Sequence, residues 1–165
     1  MIFLSIGSNL SSNFGNRFDN INLAISYLNH YGIQIIKRSN FYETPSYPDK
    51  KKPKFINIVI SIKTHLLPVD LMSVLIFIEE KLERKRKKKN DPRTCDIDII
   101  DYNNMVLDFQ YNNFDFTVPH KKLIYRNFVL YPLQEISPGW KHPKSKEIIN
   151  TLIDALPNED KNSIL

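Results

Sequence analysis

Apolar periodicity over residues 1–102 constrains this chain more than any other feature. Two stretches repeat at helical spacing, and four short runs rich in β-branched and aromatic residues flank them. Residues 1–6 read as a short buried strand, followed by a turn at Gly7-Ser8-Asn9. Phe18, Ile21, Ala24, Ile25 and Leu28 recur at the helical period, and Gly32 stands where a C-terminal cap glycine belongs. Residues 33–42 and 55–64 read as the second and third strands, separated by a proline- and lysine-rich loop over 45–53. Pro68 suits the first turn of a second helix, whose apolar stripe is Leu71, Leu75, Ile78 and Leu82. Residues 94–102 read as a fourth strand, with a hairpin turn at Asn103-Asn104.

The order β-α-β-β-α-β predicts an α+β fold with a ferredoxin-like core, its two helices packed on one face of a four-stranded antiparallel sheet. The remainder reads as C-terminal additions: an edge strand near 106–109, a helix over 121–134 and a short helix over 148–156. No linker divides the chain, so residues 1–165 are taken as a single domain.

Composition narrows the partners. At 165 residues, with 42% hydrophobic and 25% charged residues, the chain has the make-up of an ordinary globular domain rather than a disordered one. No apolar run is long enough to cross a bilayer, and the first residues lack the pattern of a signal peptide. With Cys95 as the only cysteine, no internal disulfide can form, so a cytoplasmic protein is expected. The net charge of +5 and the pI of about 9.2 suit an anionic partner: nucleic acid, nucleotide or membrane surface. The charge is uneven. Every residue from Arg84 to Lys89 is basic, and Asp91, Asp96, Asp98 and Asp101 follow. Two readings stand: phosphate groups meeting a divalent metal, or a solvated helix end running into a loop.

Asp96 and Asp98 lie two apart on a predicted strand. Alternation puts both carboxylates on one face, with Ile97 and Ile99 on the other. Two neighbouring carboxylates repel unless a cation relieves them, and magnesium takes one or two carboxylates plus substrate phosphates. The alternative is the solvent face of a half-exposed strand. Arg93, with Arg84 and Arg86 upstream, adds guanidinium forks that bind phosphate bidentately.

The segment Pro92-Arg93-Thr94-Cys95-Asp96-Ile97-Asp98-Ile99 resembles the signature of the 6-hydroxymethyl-7,8-dihydropterin pyrophosphokinase family of folate synthesis. Further segments match in the family's order. They are Gly7-Ser8-Asn9-Leu10, Tyr42-Glu43-Thr44-Pro45, Phe55-Ile56-Asn57, Val118-Pro119-His120, Arg126-Asn127-Phe128 and Tyr131-Pro132-Leu133. The resemblance covers about the first 140 residues. It implies a ferredoxin-like fold and an ATP-dependent diphosphotransferase that moves pyrophosphate from ATP to hydroxymethyldihydropterin, releasing AMP.

The resemblance also implies roles. Asp96 and Asp98 hold two magnesium ions. Arg84 and Arg93 are catalytic, and Glu79, Arg84, Arg86, Arg93, Ile99, His120 and Arg126 contact ATP. Phe55 and Phe128 sandwich the pterin, while Thr44, Pro45, Tyr47, Asn57 and Asp96 bind its edge. Small-molecule substrates are expected, without nucleic acid or membrane, for a monomeric enzyme. Two departures stand out. Glu83 replaces a family glycine before the Arg84-Lys85-Arg86 run, and Asn90-Asp91 replace a Trp-Gly. The competing classes are an RNA-binding ferredoxin-like module and a non-catalytic paralogue. Against the first, the RNA-binding aromatic motif is absent from every strand; against the second, the Asp-x-Asp pair is intact.

Overall fold

The structure is a computed structural model that describes residues 1–85 and 90–164. β1 (Ile2–Ser8) runs through the middle of one antiparallel sheet. It pairs with β4 (Phe55–Lys63) on one side and with β5 (Asp96–Tyr102) on the other. β2 (Gln34–Arg38) and β3 (Tyr42–Thr44) pair with different stretches of the outer edge of β4. With α1 (Arg17–His30) after β1 and α2 (Pro68–Lys81) after β4, this is the expected βαββαβ order, with one strand split in two.

Local chemistry explains both helix boundaries. Asn16 caps α1 in a reciprocal box with Asp19. At the other end Gly32 takes φ +78°, its N–H bonds the Asn29 carbonyl, and the Ile33 N–H bonds Leu28. This Schellman closure buries Ile33 against Leu28. α2 opens on Pro68 and closes in the same way. Glu83 N–H donates to the Glu80 carbonyl and Arg84 N–H to Glu79, with Glu83 at φ +67°. Glu83 therefore holds the left-handed position that a glycine fills without strain, and its carboxylate accepts the Asn13 N–H at 3.0 Å.

Two cores cover the two faces of the sheet. Ile2, Leu4, Ile6, Ile58, Ile60, Ile97 and Ile99 face α1 and α2. Phe3, Val59 and Ile100 face α3 (Asn127–Ile136), α4 (Ile149–Asp154) and Trp140. The two core helices pack on one face as expected, and the added helices take the other. α3 and α4 close part of the second face over Phe3, and β1 is buried at every position rather than alternating.

Other expectations shift locally. β1 continues through Gly7 and Ser8, because both pair with β4, so the first turn starts later. The strand expected over 33–42 breaks at Ser39, whose hydroxyl accepts the Val59 N–H at 3.0 Å. Asn103 and Asn104 do take left-handed turn conformations, with φ of 52° and 60°. The strand after them is not a sheet edge: β6 (Leu107–Tyr111) forms a separate hairpin with β7 (Phe114–Val118). The helix expected over 121–134 is interrupted. A single 3-10 turn over Leu123–Tyr125 ends at Arg126, which is extended, and α3 begins after it. A last short helix, α5 (Asn158–Lys161), follows α4.

Candidate active site

The second face is uncovered where the ends of β4, β1 and β5 meet, and the strand register sets what lies there. Asn57, Gly7 and Asp96 form one cross-strand row, and Val59, Ser5 and Asp98 form the next. The central strand contributes only small residues, so these rows make a trough. A Cβ on Gly7 would fall 2.7 Å from Asn57 Oδ1 and 3.5 Å from the Phe55 ring. Glycine is therefore required for Asn57 and Phe55 to lean over β1. Asn57 Nδ2 donates to Thr44 Oγ1 at 3.0 Å, which fixes the amide and turns Oδ1 toward the trough.

The far wall carries charge. Asp96 and Asp98 share a face as alternation requires, and their side chains are 26% and 28% exposed. Arg84 Nη1 donates to Asp96 Oδ1 at 2.8 Å, and Arg93 Nη1 to Asp96 Oδ2 at 3.1 Å. Arg126 Nη1 donates to Asp98 Oδ2 at 3.0 Å. Burial opposes ionisation of Asp96, but Arg84, Arg93 and Arg126 outweigh it and hold its carboxyl below the usual range. Glu79, only 2% exposed, accepts the Ile97 N–H at 2.8 Å and pairs with Arg84 at 2.8 Å. It thus braces both Arg84 and the start of β5. The Arg84 guanidinium is desolvated, yet Asp96 and Glu79 together push its pKa up.

His120 Nε2 lies 3.8 Å from Asp98 Oδ2, too far for a hydrogen bond, while Nδ1 accepts the Lys122 N–H at 3.1 Å. Desolvation lowers its pKa despite Asp98. The break before α3 is what aims Arg126 at Asp98. Arg126 also lies over the Phe128 ring at 5.4 Å, as Arg93 lies over Phe55 at 6.0 Å.

Most of the expected site residues thus converge. Arg84, Arg93, Asp96, Asp98, His120 and Arg126 cluster with Glu79 behind them, and Thr44, Phe55 and Asn57 lie across Gly7. Pro45 follows β3, leading into a loop where Tyr47 is 84% exposed. The Ile99 side chain is buried in the α1–α2 core, on the opposite face. Arg86 lies outside the described residues. Asp101 faces the second core and not the cluster. Its carboxylate accepts Trp140 Nε1–H at 2.9 Å, and burial raises its pKa. Among the described residues no three His, Cys, Asp or Glu side chains converge as a metal site, which leaves the pair Asp96 and Asp98.

Two residues of the trough carry roles the sequence reading did not assign. Gly7 supplies the floor. Asn9, two residues on, bonds the backbone of Arg93. Their signal was a Gly-Ser-Asn run closing a strand that begins Ile-Phe-Leu.

Comparison with known proteins follows the same lines. Residues 3–138 match the family described as 7,8-dihydro-6-hydroxymethylpterin-pyrophosphokinase (HPPK). The chain is 36% identical over 146 residues to the 2-amino-4-hydroxy-6-hydroxymethyldihydropteridine pyrophosphokinase of Synechocystis, covering 88% of this chain and 72% of that one. It is 34% identical over 158 residues to the folic acid synthesis protein fol1 of Schizosaccharomyces pombe, covering 95% of this chain but 20% of that protein. The fold matches the crystal structure of wild-type Plasmodium falciparum HPPK-DHPS with a TM-score of 0.70 at 17% identity, over 92% of this chain and 43% of that one. The chain thus spans about a fifth of the yeast relative and under half of the parasite protein.

Proposed function

Because the chain belongs to the 7,8-dihydro-6-hydroxymethylpterin-pyrophosphokinase family, we propose that it transfers pyrophosphate from ATP to 6-hydroxymethyl-7,8-dihydropterin in folate synthesis. The observation that carries this reading is the trough itself. Two carboxylates ringed by Arg84, Arg93 and Arg126 stand one strand away from an amide and an aromatic wall.

The pterin fits the Phe55 side of the trough. The Phe55 and Phe128 rings supply faces for stacking, and the amide of Asn57, set by Thr44, presents an acceptor to the heterocycle edge. Backbone groups around Pro45 and Tyr47 extend the same edge. The triphosphate belongs on the arginine side. Arg84, Arg93 and Arg126 are already gathered there, and a guanidinium binds phosphate oxygens through the same fork it now offers a carboxylate. Arg86, outside the described residues, and His120 would add phosphate contacts.

Magnesium suits the donor set. Asp96 and Asp98 offer hard carboxylate oxygens without a third such ligand among the described residues, so a magnesium ion held there would stay open to substrate phosphate and water. Bound at Asp96 and Asp98, two such ions would neutralise charge on the bridging phosphate oxygens and make the pterin hydroxyl more acidic.

In the reaction the hydroxymethyl oxygen forms a bond to the β-phosphorus, the bond from that phosphorus to the α–β bridging oxygen breaks, and AMP leaves. The hydroxyl proton is released to solvent. The chain's own contribution is positioning and fixed positive charge, which supply most of the acceleration in phosphoryl transfer.

The same reading takes residues 1–165 as one catalytic domain, monomeric and cytoplasmic, with small molecules as its partners. No helix among the described residues is long and apolar enough to cross a membrane. An RNA-binding role fits less well, because α3 and α4 cover the part of the sheet face that such modules present to bases. The test is direct: protein, magnesium, ATP and hydroxymethyldihydropterin are mixed and AMP is measured. AMP release that requires the pterin is expected. AMP release indifferent to the pterin, or none, would overturn the reading.

A further inference from the structure

Asn9 is almost fully buried just after β1, and it joins two segments that also meet at the surface, where Lys52 Nζ donates to the Asn90 carbonyl at 2.9 Å. Its backbone N–H donates to the Arg93 carbonyl at 3.1 Å, and its Oδ1 accepts the Arg93 N–H at 2.8 Å. On the other side, Nδ2 donates to the Pro53 carbonyl at 3.0 Å and to Ser46 Oγ at 3.3 Å. Reversing the amide would set a donor against the Arg93 N–H and an acceptor against the Pro53 carbonyl, so only one orientation serves.

The two partners do different things. Arg93 holds Asp96 through its side chain and lies over Phe55, while Asn9 pins its backbone N–H and carbonyl alike. Ser46 and Pro53 bracket the loop that runs from Thr44 to Phe55. One buried amide therefore ties the arginine loop to the loop beside the aromatic wall, beneath the exposed Lys52–Asn90 bond.

We propose that Asn9 is a positioning residue for the reaction. Its Oδ1 holds Arg93 where the transferred phosphorus passes, and its Nδ2 holds the 45–54 loop against the pterin. This rests on the proposed pyrophosphokinase reading for what Arg93 and the loop bind. The two halves of the amide separate in two variants. Asn9→Ala loses both. Asn9→Asp keeps an acceptor for the Arg93 N–H and loses the donor, placing a carboxylate against the Pro53 carbonyl.

The experiment measures kcat and the pterin KM for both variants, and for Asn9→Ala combined with Arg93→Ala. Thermal unfolding and amide exchange at Arg93 are followed in parallel. Asn9→Ala is expected to lose roughly 30- to 100-fold in kcat, the scale of a misplaced phosphate-binding group, and to raise the pterin KM. Asn9→Asp should recover most of kcat while the pterin KM stays high, and it should retain slow exchange at Arg93. In the Arg93→Ala background, Asn9→Ala should cost kcat less than about 3-fold, because it acts through the missing side chain.

Equal kcat losses in Asn9→Ala and Asn9→Asp, or multiplicative losses in the double variant, would overturn the inference and leave Asn9 as mere packing. Amide exchange distinguishes this from failure of the underlying reading. A wild-type chain without pterin-dependent AMP release contradicts the pyrophosphokinase assignment, whereas faster Arg93 exchange in Asn9→Ala but not in Asn9→Asp still upholds the hold on Arg93. Unchanged exchange in Asn9→Ala refutes it.

Discussion

The two faces of one sheet are built for different ends. The face under α1 and α2 is almost wholly aliphatic: Leu4, Ile6, Ile58, Ile60, Ile97 and Ile99 interlock with Ile21, Leu28, Leu71, Leu75 and Ile78. The same three strands, read at the alternate positions, present Ser5, Gly7, Asn57, Asp96 and Asp98. Where α3 and α4 cover that second face it turns apolar again, with Phe3, Val59 and Ile100. Stability and chemistry are thus divided by the two-residue period of the strand. The polar half stands only because each carboxylate in it has a guanidinium partner.

Substitutions on the two faces should fail in opposite ways. The largest effect is expected at the carboxylates. Asp96→Ala or Asp98→Ala should lower kcat by about 10³-fold or more, roughly 4 kcal/mol of barrier, with the circular dichroism spectrum unchanged. Near-normal turnover of either variant at saturating magnesium would break the metal assignment. Removing magnesium with EDTA should abolish AMP release reversibly.

Leu75→Ala, fully buried beneath α2, should do the reverse. It should lose about 2–5 kcal/mol in urea unfolding while the folded fraction keeps its kcat/KM. A Leu75→Ala protein that stays stable but turns over slowly would blur the division between the faces.

The pH dependence sharpens the same contrast. Asp96 has a folded pKa held below its unfolded value of about 3.9, so its ion pairs contribute stability fully above that value. The contribution is lost as pH falls through the depressed folded pKa. Asp96→Asn should therefore flatten the loss of stability between about pH 4 and the acid limit, measured by urea titration at successive pH values. Smallest of all is Glu83→Gly. Relief of the left-handed glutamate should raise stability by about 1 kcal/mol, less whatever the Asn13 contact contributes. A loss of stability would mean that the Asn13 contact outweighs the strain.

Much of this division was legible in the sequence. The period of two put Asp96 and Asp98 opposite Ile97 and Ile99, and the period of 3.6 marked the stripes of α1 and α2. What escaped depends on contacts distant along the chain. The break between β2 and β3 at Ser39 is fixed by Val59 and by Glu135 of α3, whose carboxylate accepts the Asn40 N–H at 3.0 Å. No local pattern encodes a partner 95 residues away.

The Arg126 break was hidden because Leu123, Val129 and Leu130 continue an apolar pattern across it. The β6–β7 hairpin did leave a sign. Asn112-Asn113 turns with both residues left-handed, as Asn103-Asn104 does, and only the second pair was read as a turn. For the site, the motifs located the carboxylates, arginines and aromatics. The floor at Gly7 and the bridge at Asn9 became visible only once the register of β1 against β4 and β5 was known.

One measurement reaches the central claim most directly. ATP labelled at the γ-phosphorus is incubated with the protein, magnesium and hydroxymethyldihydropterin, and the products are separated. The expected result is unlabelled AMP, with one labelled pterin diphosphate for each AMP formed, and neither product when Asp98 is alanine. Formation of ADP with a pterin monophosphate, or AMP that appears without labelled pterin, would contradict it.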